Sequence, residues 1–257
     1  INNEFLRINL KEILFSSDND FSFQIDQNLR FKNFKVKSVI NLDHLKIDNF
    51  LNLKSNFPNI KDSIIFENQE IKLEYNKNDL KIIGSGNIFL QEESDIIQFE
   101  VIKNKKEFIF NTNFKISKNP FVINLLNYEK NEKSILNLNL KVKLNNDKLS
   151  FKEILILENE NILSIKNLKL SPNFKVKEIG NIKIDYMDKE NLYNQAQIVK
   201  ENKNYKIIGN SLNINKIVTE LLESNNDKTD FFDKNFRLVF DLKKIYLDKV
   251  NSTNNLK

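Results

Sequence analysis

The stretch Ile135-Leu136-Asn137-Leu138-Asn139-Leu140-Lys141-Val142-Lys143-Leu144 decides the fold. Leu136, Leu138, Leu140, Val142 and Leu144 fall on one side of it, and Asn137, Asn139, Lys141 and Lys143 on the other. Successive side chains of a strand point to opposite faces, so this alternation describes a strand with one apolar and one wet face. The same signature returns at Phe236 to Leu242, Phe108 to Ile116 and Leu29 to Val39.

Working outward, the pattern predicts strands at 21–26, 29–40, 64–66, 70–75, 80–83, 86–90, 96–102, 107–116 and 134–144. It continues at 149–157, 162–170, 174–178, 181–187, 195–200, 204–209, 235–242 and 244–248. The connectors are short and polar, so most neighbours should be antiparallel hairpins. With only 4 Gly in the chain, the turns must rely on Asn and Asp, which tolerate left-handed backbone angles. Leu6, Leu10, Ile13 and Leu14 suit a short helix within 1–15, followed by a turn at Ser16-Ser17-Asp18-Asn19-Asp20. Asn119-Pro120 reads as a helix start leading into Phe121 to Leu126. Ile214, Ile217, Val218, Leu221 and Leu222 form one apolar stripe, which predicts a helix over Asn213 to Glu223 that plugs an end or edge of the sheet, with a mobile lid as the alternative. Faint echoes (Asn33 to Lys37 with Asn173 to Lys177, Lys81 to Gly84 with Lys206 to Gly209) hint at a repeated β unit.

At 257 residues with 40% apolar content and 21 Phe, the chain can bury a core. The net charge of +5 is small and both signs are interspersed. Arg occurs only at Arg7, Arg30 and Arg237, which argues against a nucleic-acid partner. There is no Cys, so disulfides and thiolate metal sites are excluded. No run of 18 apolar residues marks a transmembrane helix, and no signal peptide is present. The chain reads as part of a longer protein.

Chemistry is nearly silent. His44 is the only histidine and has no matching nucleophile motif, so a solvent-facing strand or loop position is expected. Gly84-Ser85-Gly86 is too short for a nucleophile elbow or phosphate loop and reads as a bulge or turn. Asp18-Asn19-Asp20 lacks the Gly and the closing Glu of a calcium loop. Carboxylate pairs are defined by distance, not by spacing, and stay open. No enzyme activity, metal or cofactor is expected. The question becomes what the apolar face touches: a second sheet in a closed core, or apolar ligands along an open groove.

The run Asn204-Tyr205-Lys206-Ile207-Ile208-Gly209-Asn210-Ser211-Leu212-Asn213-Ile214, the helix that follows, the polar loop Glu223 to Asp230 and the strand pair Phe236 to Val250 resemble the AsmA-like superfamily. Ile71 to Leu90 and Phe121 to Tyr128 are similar too. The resemblance extends over about residues 20–257, is most specific over 204–257, and departs in its scarce Gly and Asn/Lys-heavy connectors. It implies an extended, curved antiparallel β-sheet groove with one or two short helices, spanning 1–257 as one segment of a larger bacterial envelope protein. That protein would be periplasmic, held in the inner membrane by an N-terminal anchor outside this chain, with an outer-membrane or periplasmic protein partner. The groove would conduct phospholipid without chemistry. Its lining would comprise Leu136, Leu138, Leu140, Val142 and Leu144, with Phe108, Phe110, Phe114, Phe236, Leu238 and Phe240. The alternative is a structural or assembly module with a closed β core; a β-rich hydrolase is the third reading.

Overall fold

The computed structural model describes residues 9–49, 53–145, 148–171, 175–202, 204–223, 237–248 and 250–256. The alternating segments are long strands. In chain order they are β1 (Leu10–Ile25), β2 (Phe31–Asp48), β3 (Ser63–Asn76), β4 (Asp79–Phe89), β5 (Asp95–Lys103) and β6 (Phe108–Ile116). Two short strands follow, β7 (Val122–Ile123) and β8 (Tyr128–Glu129), then β9 (Leu136–Asn145), β10 (Lys148–Glu158) and β11 (Asn161–Leu170). The last are β12 (Val176–Glu178), β13 (Asn181–Met187), β14 (Tyr193–Glu201), β15 (Asn204–Asn213), helix α1 (Asn215–Glu223), β16 (Leu238–Tyr246) and β17 (Ser252–Leu256).

One sheet runs β1-β2-β3-β4-β5-β6-β9-β10-β11-β13-β14-β15-β16-β17, with β12 paired to β11, while β7 and β8 form a separate ladder. The path ends on two different edges, β1 and β17, so the sheet does not close. Its neighbours are antiparallel except β15 and β16, which run parallel. A parallel pair needs a crossover, and α1 lies on it. Turns are made as the composition requires. Among the described residues, seven of the nine non-glycine positions with positive φ are Asn, including Asn159, Asn191 and Asn202.

Register assigns the faces. Phe108, Phe110, Phe114 and Ile116 lie opposite Leu144, Val142, Leu138 and Leu136, and so share one apolar face. Asn111, Asn113 and Lys115 lie opposite Lys141, Asn139 and Asn137 on the polar face. The apolar face continues through Ile82, Val101 and Leu73 on one side and Ile154, Ile165, Ile182 and Ile198 on the other. Two features keep it in phase. A bulge at Asn68 (φ 50) shifts the β3–β4 register and leaves no room beside Gly86, where a Cβ would sit 2.6 Å from the Asn68 carbonyl oxygen. Gly84 is covered by the ring of Phe99 from the next strand.

At one margin the connectors fold back over the apolar face as a plug. Phe57 packs against Phe114, tilted, and against Phe121, edge-on, with ring centroids 6.0 and 5.3 Å apart. Tyr128 meets Tyr186 edge-on at 5.6 Å. The plug also shows that the sheet curls. Val122 bonds to Asn56, in the β2–β3 connector, at 3.0 Å. Five residues on, Asn127 accepts from Lys189, beyond β13, and Leu126 accepts from the Tyr186 hydroxyl. Five residues reach at most roughly 18 Å. Seven flat strand spacings from β3 to β13 would need roughly 34 Å.

Three expectations are corrected. Residues 10–20 belong to the edge strand β1 (Leu10–Ile25) rather than to a helix and turn, because exposed Ser, Asn and Asp are tolerated on an edge whose two faces are both wet, and the strand expected from 21 is its continuation. Phe121 to Leu126 is not an α-helix: β7 leads into a single 3-10 turn at Asn124–Leu126, since Phe121 is drawn into the core. Gly84-Ser85-Gly86 lies within strand β4, with the bulge on its partner. The helix at Asn215–Glu223 does form, and Ile214 before it packs on the core.

Candidate apolar groove

The apolar face changes character along the strands. At the plugged margin Ile116 and Leu136 are wholly buried (0% exposed) and Phe114 nearly so. Leu138 is half-buried against that core. Leu140, Val142, Leu144, Phe110 and Phe108 follow toward the opposite margin, all half-buried. Leu140 lies between Thr112 and Ile154, Val142 between Phe110 and Phe151, and Leu144 between Phe108 and Leu149. Phe240 is half-buried opposite Ile207, and Leu238 is 39% exposed opposite Tyr205. Phe236 lies outside the described residues. Register thus brings the β6 and β9 residues of the expected lining into one patch. Leu238 and Phe240 lie six strands away across the same sheet.

The plug is clamped by buried polar groups that the sequence reading missed. Glu158 is 1% exposed and accepts from the Tyr128 hydroxyl at 2.6 Å, the Asn131 amide at 2.7 Å and the Ser134 hydroxyl. Burial and the neighbouring Glu158 push the Tyr128 phenol well up. Asp95 accepts from the Ser117 amide at 2.9 Å and the Asn119 side chain at 2.7 Å. Burial raises its carboxyl, and these hydrogen bonds partly offset that. Lys130, buried between them, donates to the carbonyls of Ser117 and Asn131 at 2.6 and 3.1 Å, and burial lowers its ammonium. Every member has a partner, so this is a structural latch rather than a reactive group. A signal existed: Asp95 and Glu158 each sit at a strand end beside an apolar run.

The polar face carries a shallow depression of about 480 Å³ over Ser85, lined by Glu70, Gln98, Glu100, Asn111 and Asn113 among others. It brings two carboxylates together, the arrangement the hydrolase reading asks for. A glycosidase acid must be held protonated above the usual range. Hydrogen bonds from Asn111 and Lys81 move Glu100 the other way, and Glu70 pairs with Lys72 at 3.0 Å. His44 lies on β2 between Glu12 and Glu67, at 3.6 and 3.5 Å. Among the described residues no group of three His, Asp or Glu is arranged to hold a metal ion. No helix among them is long and apolar enough to cross a membrane.

No protein-family model, curated protein or solved structure matches this chain.

Proposed function

We propose that the chain is a non-enzymatic segment of a lipid conduit, in which phospholipid acyl chains lie along the uncovered part of the apolar face. One observation carries this reading. The face is continuous across the sheet, and among the described residues the plug covers only one of its margins, leaving residues such as Phe108, Phe110, Val142 and Leu144 half-exposed. A contiguous apolar surface facing water costs about 25 cal/mol per Å², and such patches mark binding surfaces. Acyl chains satisfy it without directional contacts, which suits a lining that offers aliphatic and Phe side chains. The resemblance to AsmA-like proteins adds the setting: the bacterial periplasm, between inner and outer membranes.

The test is lipid extraction and mass spectrometry of the purified chain, with Val142→Asp beside it. The expected result is phospholipid bound to the parent and absent from the variant, with strand content unchanged. A lipid-free parent whose Val142→Asp variant unfolds would instead favour the closed-core assembly module.

A further inference from the structure

The uncovered margin of the apolar face is bordered by the hairpins after β1, β3, β5, β9, β11 and β14, and its charge is one-sided. Arg30, Lys77, Lys103, Lys105, Lys106 and Lys177 stand there, exposed and without an ion-pair partner among the described residues, as does Arg237 ahead of β16. The acids of this margin are largely spent. Asp26 pairs with Lys32 at 2.9 Å, Glu107 with Lys143, and Glu178 with both Lys169 and Lys200 at 2.8 Å. Among the described residues of these connectors, only Asp79 and Glu201 remain to oppose the free cations. At the plugged margin Lys54, Lys133, Lys189 and Lys216, without an ion-pair partner among the described residues, are balanced by acids such as Glu129, Glu132 and Glu160. Lys103 links charge to groove. It lies opposite Leu80 and Phe108, so its stem leaves the sheet on the apolar face at the margin where that face ends.

We infer that this basic margin receives the headgroups of anionic phospholipids, and that the groove favours them over zwitterionic ones. The inference rests on the groove reading and adds the lipid class. A lipid whose tails lie on the apolar face must leave its phosphate at the uncovered margin, because the other margin is filled by the plug. Unpaired ammonium groups beside an apolar wall then match an anion joined to an acyl chain, and each lysine near an anionic lipid surface strengthens binding several-fold at physiological salt.

The experiment is flotation of the full chain with phosphatidylcholine vesicles, with and without phosphatidylglycerol, at low and high salt. The variant is Lys103→Gln/Lys105→Gln/Lys106→Gln, with Lys54→Gln/Lys133→Gln/Lys189→Gln from the balanced margin as control. The inference expects binding to the anionic vesicles alone, weakened by salt, reduced about a hundredfold in the first variant and unchanged in the control. Equal binding to both vesicles, equal loss in both variants, or equally tight binding to an oligonucleotide would overturn it. Phospholipid that still co-purifies with the chain while vesicle binding shows no anionic preference would leave the groove standing and remove only the headgroup inference.

Discussion

Leu136 and Leu144 open and nearly close one strand, lie within the same alternation and point to one face, yet their surroundings differ. Leu136 is wholly buried opposite Ile116 and Glu158, under the plug. Leu144 is half-buried opposite Phe108 and Leu149. Local pattern determines which way a side chain faces. Whether that face becomes dry core or open groove is determined by remote segments, here Phe57, Phe121 and Tyr128, that fold over one margin and not the other.

The largest test of this contrast places a charge at each end of β9. Leu136→Asp buries an unpaired carboxylate and should cost more than about 4 kcal/mol, enough to unfold the domain. Leu144→Asp should cost less than about 1 kcal/mol, because its carboxylate reaches water. Equal losses in urea melts would mean that both margins are closed. The clamp comes next. Tyr128→Phe removes a hydrogen bond to a buried carboxylate and should cost roughly 1.5–3 kcal/mol. Hydrogen exchange should show residues 119–134 losing protection while β9 keeps its own. Gly86→Ala, which forces a methyl against the Asn68 carbonyl, should cost roughly 1–3 kcal/mol, read as a lowered melting temperature.

The smallest effect concerns pH, and the two margins respond in opposite senses. Asp95, in the plug, has its carboxyl raised above the ordinary 3.8 by burial. Its contribution favours the fold below that ordinary value and is lost as pH rises through the raised one. Glu178, at the open margin, is held down to about 2 from 4.5 by Lys169 and Lys200. Its contribution is present above 4.5 and is lost as pH falls toward 2. Glu178→Gln should therefore cost about 0.5 kcal/mol near neutrality, after solvent screening, and nothing at the acid end. Asp95→Asn should flatten the decline in stability as pH rises. Chemical denaturation across that range, with both variants shifting the same limb, would break the contrast.

Much of the sheet was legible because alternation is a local property. The pairs Phe108 with Leu144 and Phe114 with Leu138 follow once adjacent strands are placed in register. Helix α1 was legible for the same reason, since its apolar stripe repeats within one segment. Residues 10–20 misled because Leu10, Ile13 and Leu14 fall by chance at helical spacing, while an exposed edge strand imposes no pattern there. The plug was illegible because it rests on contacts far apart in sequence, such as Asn56 with Val122 and Tyr186 with Leu126. Pro120 suggested a helix, but tertiary burial of Phe121 and Tyr128 prevailed over that local signal. The basic margin was hidden within a nearly balanced total charge. Sorting connectors by the margin they occupy reveals Lys77, Lys105 and Lys106 on one side.

The most direct measurement is photo-crosslinking along β9 in the full-length protein in living cells, with a photoreactive residue replacing Leu136, Leu140, Lys141 or Leu144 in turn. Phospholipid adducts at 140 and 144, and none at 136 or 141, are the result expected of a groove that is dry at one margin and lipid-filled toward the other. Adducts at none of the four positions in a folded protein, or equal adducts at 141 and 144, would contradict it.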